Sequence, residues 1–300
     1  MADDKTALTG EEVLEEGLDD WRWVLNKLVA RFDTGDFNAG AALVTRIAEA
    51  ADEANHHPDV DLRYPHVTVS LMSHDVAAIT QRDVRLALKI SELAAAAGIA
   101  ATRAPDVLEL ALDTPDGGAL KPFYAALLGY QPHPDHDDDL RDGADRTPSI
   151  WFQSSDSQES DRQRWHLDVC VPHDVAEARL QAVLDAGGTL KPFYAALLGY
   201  QPHPDHDDDL RDGADRTPSI WFQSSDSQEP DRQRWHLDVC VPHDVAEARL
   251  QAVLDAGGTL VDDERAPAFW VVADADGNRS CICTWQGRSD GADAGDRAAR

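Results

Sequence analysis

Between residues 1 and 104 the apolar positions switch repeatedly between the period of a strand and the period of a helix. Gly10 to Gly17 predicts a short helix, and WRWVLN and KLVARFD, rich in Val and aromatics, predict strands. Phe37, Ala41, Val44, Ile47, Ala48 and Ala51 recur at helical spacing, so Asp36 to Asn55 is expected as a long helix with Asp36 as N-cap. Residues 60–72 predict one strand, with Val67, Val69 and Leu71 on one face and His66, Thr68, Ser70 and Met72 on the other. Thr80-Gln81-Arg82-Asp83 opens a last helix in the manner of a capping box, with Asp where Glu or Gln is usual. The expected class is α+β, an antiparallel sheet with helices packed on one face.

Further on, Val107 to Asp113 predicts a strand, Gly117 to Leu128 a helix and Ser149 to Gln153 a strand. Trp235 to Val241 predicts a strand, Asp244 to Ala256 a helix, and three more strands run to Trp285. Between these sets lies a repeat: residues 121–190 recur as 191–260 with Ser160 against Pro230 the only difference. Solenoid repeats vary at their surfaces because only the stacking positions are constrained, so near-identity indicates a recent tandem duplication or an assembly error. The junctions Gly117-Gly118-Ala119-Leu120 and Gly187-Gly188-Thr189-Leu190 suit unequal crossover. The expected domains are residues 1–104, then 105–286 enlarged by the duplication, then 287–300 as a polar disordered tail. Residues 106–155 are expected to pair with 234–286, leaving 156–233 as extra material. The second copy of the early half then lacks its opening strand.

Charge narrows the partners. Asp and Glu outnumber Lys and Arg 56 to 27, for a formal net charge of -29, which repels phosphate backbones and anionic lipid. Neither nucleic acid nor membrane is an expected partner. The stretch LAAAAGIAA is too short to span a bilayer, and the acidic MADDKTALTGEE has no apolar signal region. Cys170, Cys240, Cys281 and Cys283 form no CxxC pair and are read as reduced thiols in a cytoplasmic protein.

Candidate chemistry gathers at the end of the long helix, in Asp52-Glu53-Ala54-Asn55-His56-His57-Pro58, where Pro58 cannot continue the helix. Tyr64 follows, then His74 before a loop. Histidines facing one pocket suit proton transfer near neutral pH. A lone helix-end histidine is ordinarily a solvated cap, and Asp83 has a structural role as the third residue of its helix. Three His with two Asp can also hold a metal, although adjacent residues such as His56 and His57 point different ways on a helix.

Asp52, His56-His57-Pro58, Tyr64, His74 and Asp83, with the helix DFNAGAALVTRIAEAADEANHHP, resemble the pterin-4a-carbinolamine dehydratases over residues 10–95. The resemblance implies a hydro-lyase acting on a 4a-hydroxytetrahydropterin. In it the histidines matching His56 and His74 exchange protons, the one matching His57 binds the pterin, and the aspartate matching Asp83 supports the site. Asp52 and Tyr64 complete the pattern. It implies a small pterin substrate, no cofactor and a homo-oligomer. His74 is expected as acid and His56 as base, with the reverse left open.

The later half, through LELALDTPDGGALKPFYAALLGY, RWHLDVCVP and DADGNRSCICTW, resembles the vicinal oxygen chelate superfamily of glyoxalase-like domains built from βαβββ modules. That superfamily often holds a divalent metal, and the corresponding positions are Glu109, Gln153 or Gln223, His166 or His236, and Cys281. Glu109 and His236 are able to ligate, Gln is a weak ligand, and Cys suits a softer ion. A lone strand histidine is more often a core residue than a ligand, so the ligand set argues against the usual metal. The runs His133 to Asp139 and 203–209 are expected as solvated acidic loops, and Trp151, Trp165, Trp221 and Trp235 as core. Two alternatives to the dehydratase are a non-catalytic binding or regulatory protein, and a metal-dependent glyoxalase- or dioxygenase-type activity in the later half.

Overall fold

A computed structural model describes residues 5–102, 104–105, 107–133, 139–144, 147–155, 164–186, 190–203, 209–211, 217–222, 235–284 and 286. Gln223, the acidic runs 134–138 and 204–208, and the tail 287–300 lie outside the described residues. The chain divides into two compact units, one of Met1–Val107 with Val169–Ala182 and one of Leu108–Asp168 with Val183–Arg300.

The first unit opens with α1 (Gly10–Glu15), held by a reciprocal capping box in which Thr9 Oγ1 accepts from the Glu12 amide and Glu12 accepts from the Thr9 amide. β1 (Arg22–Val24) and β2 (Lys27–Asp33) form a hairpin whose two turn residues, Leu25 and Asn26, both have positive φ, as the tight turn of a twisted hairpin requires. Asp36 accepts from the Ala39 amide and starts α2 (Phe37–Ala54). Then come β3 (Asp59–Arg63), β4 (His66–Leu71), α3 (Gln81–Ala96) and β5 (Ala100–Thr102). The sheet runs β1-β2-β4-β3, with β5 also on β2, and its neighbouring strands are antiparallel. Phe32, Val67, Val69 and Leu71 pack with Leu43, Ile47, Leu86 and Ile90 of α2 and α3 in one core.

Two expectations change here. Residues 60–72 are a hairpin, not one strand, because the chain reverses at Tyr64-Pro65 between β3 and β4. The buried stripe of α2 is Gly40, Leu43, Ile47, Ala50 and Ala51, while Phe37 is 52% exposed. Alanines on the neighbouring stripe pointed to the wrong angle; bulk at Leu43 and the close approach at Gly40, where an added Cβ would stand 2.6 Å from Leu62, fix the true one.

The second unit carries β6 (Val107–Thr114), α4 (Gly117–Leu128), β7 (Gln131–Pro132), β8 (Asp139–Arg141), β9 (Ile150–Ser154) and β10 (Trp165–Cys170). After α5 (Ala176–Asp185) come α6 (Leu190–Leu198), β11 (Gln201–Pro202), β12 (Asp209–Arg211) and β13 (Ile220–Trp221). β14 (Asp238–Cys240), α7 (Ala246–Asp255), β15 (Thr259–Asp262), β16 (Phe269–Ala273) and β17 (Arg279–Cys283) close the chain. Two βαβββ modules stand out, with sheet orders β10-β6-β9-β8-β7 and β14-β17-β16-β15. In each, the helical crossover lays the first strand parallel to the last, β6 on β9 and β14 on β17. Their shared core joins Leu112, Phe123, Tyr124 and Ile150 to Val253, Trp270, Val272 and Ile282, with Trp165. Trp151 is half-buried and donates from Nε1 to Asp168 Oδ2 at 2.9 Å. The second copy supplies a three-stranded sheet, β11-β12-β13.

The two copies fold alike locally and differ in what they meet. Tyr130 and Tyr200 each donate to a threonine 2.6 Å away, Thr147 and Thr217. Tyr124 and Tyr194 each meet a tryptophan edge-on at 5.2 Å, Trp165 and Trp235. Only Tyr124, wholly buried, also donates to Asp274 Oδ2 at 2.8 Å, as far as the described contacts go. Burial raises the Asp274 carboxyl above its ordinary range, with Asn278 and Tyr124 opposing that rise. Tyr124→Phe should therefore cost about 1–3 kcal/mol by stripping a donor from a buried carboxylate, and Tyr194→Phe distinctly less. Urea unfolding of both variants checks this, and equal losses would contradict the assignment of copies.

Candidate functional site

The site of the first unit is organised by where α2 stops. Asn55 takes a left-handed conformation, φ 46, and the His56 amide then bonds back to Ala51 O at 3.1 Å. This is the six-to-one closure of a helix ended by a left-handed residue, a role Asn tolerates. The turn sends the two histidines apart. His56 goes inward, 8% exposed. His57 goes outward, its side chain 61% exposed, where Nε2 pairs with Asp52 Oδ1 at 3.0 Å.

Inward lies Asp83, the third residue of α3, with no exposure to solvent. Its Oδ1 is 2.7 Å from His56 Nε2. A carboxylate only accepts, so Nε2 carries the hydrogen and Nδ1 is the atom left to take a proton. Its Oδ2 accepts from Ser73 Oγ at 2.7 Å and from the Thr80 amide at 2.8 Å. Burial pushes the Asp83 carboxyl up, yet hydrogen bonds from His56, Ser73 and the Thr80 backbone outweigh it and hold the group below the usual range. Asp83 thus caps its helix and orients an imidazole at once.

Chain connectivity sets the position of the next histidine. Asp59 pairs with Ser70 at the end of the β3–β4 ladder, and His56 and Ser73 each lie three residues beyond that pair. Ser73 bonds the same carboxylate as His56, and His74 is the residue after it, exposed in a turn that the Ser73–Ala78 bridge closes. His56, His57 and His74 therefore sit at one end of the β3–β4 hairpin. Tyr64 does not join them: it occupies the opposite end, 71% exposed, because Pro65 makes that position the hairpin turn. Thr80 partners Asp83 through the expected capping box, whereas Ser73 was missed as a partner of the same carboxylate.

In the second unit the expected metal positions separate. Glu109 Oε1 accepts from Ser149 Oγ at 2.8 Å. Gln153 is exposed at the end of β9. His166 lies 3.9 Å from Asp113 and 3.7 Å from Asp168. His236 and Cys281 do come together, with Asp238, their ligand atoms all within 4.8 Å of one another. Sequence reasoning missed Asp238, although the alternation His236-Leu237-Asp238-Val239-Cys240 marks one strand face.

Comparison with known proteins follows the two units. Residues 6–93 match the family described as pterin 4 alpha carbinolamine dehydratase, and residues 109–192 and 189–283 each match a glyoxalase-like domain. A protein of Chloroflexus aurantiacus, named provisionally a pterin-4-alpha-carbinolamine dehydratase, is 40% identical over 74 residues, 25% of this chain and 80% of the relative. One of Nocardia farcinica with the same provisional name is 42% identical over 79 residues, 26% of this chain and 83% of the relative. The solved structure of a glyoxalase/bleomycin resistance protein/dioxygenase family enzyme from Burkholderia phytofirmans covers 58% of this chain and 94% of its own, at 14% identity and a TM-score of 0.28. Among the described residues, no helix is long and apolar enough to cross a membrane.

The depressed Asp83 carboxyl has a consequence for acid stability. A carboxylate whose folded pKa lies below its unfolded value, about 3.9, stabilises the fold above that pH and loses this effect as pH falls through the folded value. Wild type and Asp83→Asn should differ most near neutral pH and converge in acid. Urea midpoints measured from about pH 7 to about pH 2 test this, and a constant gap would refute the assigned ionisation.

Proposed function

We propose, for a chain that belongs to the pterin 4 alpha carbinolamine dehydratase family through residues 6–93, the dehydration of a 4a-hydroxytetrahydropterin by histidine acid–base catalysis. In this reading His74, exposed in the turn after Ser73, gives a proton to the 4a-hydroxyl, and the carbon–oxygen bond breaks to release water. His56 takes the proton from ring nitrogen N5 through Nδ1, and the N5–C4a double bond of a quinonoid dihydropterin forms. One proton enters and one leaves, so the scheme needs no cofactor. His57, tied to Asp52 at the surface, holds the pterin.

The observation that carries the reading is the 2.7 Å contact between His56 Nε2 and the wholly buried Asp83 carboxylate. A surface cap would not require it. A buried carboxylate fixes the tautomer and aim of an imidazole, and it stabilises the imidazolium that forms once the proton is taken. Asp83 is thus a positioning residue, with Ser73 linking it to the backbone that presents His74.

His56→Ala and His74→Ala in the full-length chain should each lower dehydration by roughly a hundred- to ten-thousand-fold, with unchanged circular dichroism. A spectrophotometric dehydration assay reads this, and wild-type turnover in both variants would end the proposal. Asp83→Asn should lower kcat more than it raises KM, since it disturbs aim rather than binding.

A further inference from the structure

Two thiols of the closing module take no part in the chemistry described above. β14 lies parallel to β17, and in that register Cys240 stands directly opposite Cys283. Residues opposite one another on neighbouring strands project to the same face of the sheet. The Cys283 thiol hydrogen-bonds to that of Cys240, so the two sulfurs already face one another. All four cysteines are thiols in the structure.

The spacing suits a covalent bond between this pair. Neighbouring strands lie about 4.8 Å apart, and a disulfide joins Cα atoms roughly 4.4–6.8 Å apart. Cys281 is the other thiol of β17, and it stands opposite Asp238. The strand rise sets it roughly 6.6 Å from Cys283, at the far limit for a disulfide, with its Cβ parallel to that of Cys283 and not toward it. Access divides the chosen pair. Cys240 is exposed, whereas Cys283 has no exposure to solvent. An oxidant arriving from solution therefore meets Cys240 first, with a second sulfur waiting behind it.

We propose that Cys240 and Cys283 are a peroxide-sensitive pair, Cys240 reacting with the oxidant and Cys283 resolving the product into a disulfide. The Cys240 sulfur attacks hydrogen peroxide, the oxygen–oxygen bond breaks, and water leaves with Cys240 as a sulfenic acid. The Cys283 sulfur then attacks the Cys240 sulfur, the sulfur–oxygen bond breaks, and a second water leaves. The two thiols give up two electrons and their two protons, and the peroxide is reduced to two waters. The bond ties the first strand of the module to its last, closing a loop that holds α7, β15 and β16, and so fixes β14 in its place. Formation with peroxide and reopening with a dithiol make it a reversible modification, compatible with thiols that are otherwise reduced.

The duplication supplies an internal reference. Residues 165–170 and 235–240 have one sequence, so Cys170 has the same local context as Cys240. Cys170 ends β10, whose neighbour in the sheet, β6, contains no cysteine. Sequence alone would make the two equivalent, and the strand beside each makes them differ.

The test uses the full chain, treated with hydrogen peroxide, blocked with N-ethylmaleimide and digested with trypsin. Residues 165–179 and 235–249 yield the same peptide, so mass alone does not separate Cys170 from Cys240 and single variants are required. In wild type the free thiols should fall from four to two, and the peptide of residues 235–249 should be joined to that of residues 280–288. Fragmentation should place the bond on Cys283, and dithiothreitol should reverse it. Cys170→Ser should behave in the same way, with one thiol fewer. Cys240→Ser, at an exposed position, should lose the cross-link. Oxidation should raise the urea midpoint of wild type and of Cys170→Ser and leave that of Cys240→Ser unchanged. Four thiols surviving peroxide, Cys240 oxidised to a sulfinic acid without a cross-link, a bond located on Cys281, a cross-link kept by Cys240→Ser or lost by Cys170→Ser, or a disulfide between two chains on a non-reducing gel would each overturn the proposal.

Discussion

A carboxylate sealed from water has to be surrounded by donors, and Asp83 draws its donors from three directions. His56 comes from the end of α2, Ser73 from the end of β4, and Thr80 from the start of its own helix α3. Stripping one donor from such a buried carboxylate costs about 1–3 kcal/mol, so the three elements are bound to one another at this atom group. The same requirement aligns the imidazole. Stability in the first unit, and the proposed chemistry with it, therefore rest on one constraint, and the exposed His57 and His74 are placed by chain connectivity to it. The glyoxalase-like unit contains a related device in Asp274, which accepts from Tyr124, from Asn278 and from two backbone amides of its loop.

Local signals were legible where one residue dictates the backbone. Asp36 and Thr80 marked their helices as caps, and the helix at Gly117 to Leu128 was readable to its ends. The His-His-Pro stop and the Asp83 box were both visible as chain features. Their meeting came only through the family resemblance, because a contact 27 positions apart in sequence is not written in any local pattern. Tyr64 shows what the turn adds. It entered only as part of the family pattern, and the proline next to it places it at the turn of the β3–β4 hairpin. Likewise the stripe through Phe37 and Ala41 had the right period and the wrong phase, since period alone does not say which of two adjacent stripes packs.

Identical sequence in two settings separates what the chain encodes locally from what its neighbours impose. The tyrosine–tryptophan and tyrosine–threonine contacts appear in both copies at the same distances. The buried bond to Asp274 and the approach of Cys281 appear with one copy of each pair. Glyoxalase-like architecture needs two modules, each with a parallel first and last strand, and the described strands provide that pairing twice, for β6 with β9 and for β14 with β17.

Asn55 has a wider bearing than its place as a helix end suggests. Two side chains of the same kind, consecutive in the chain, are assigned to opposite phases, one to the protein interior and one to bulk water, by the handedness of the single peptide unit before them. The opposite burial of the doublet's rings is therefore written in the main-chain conformation, and it would survive an exchange of surface chemistry all around it.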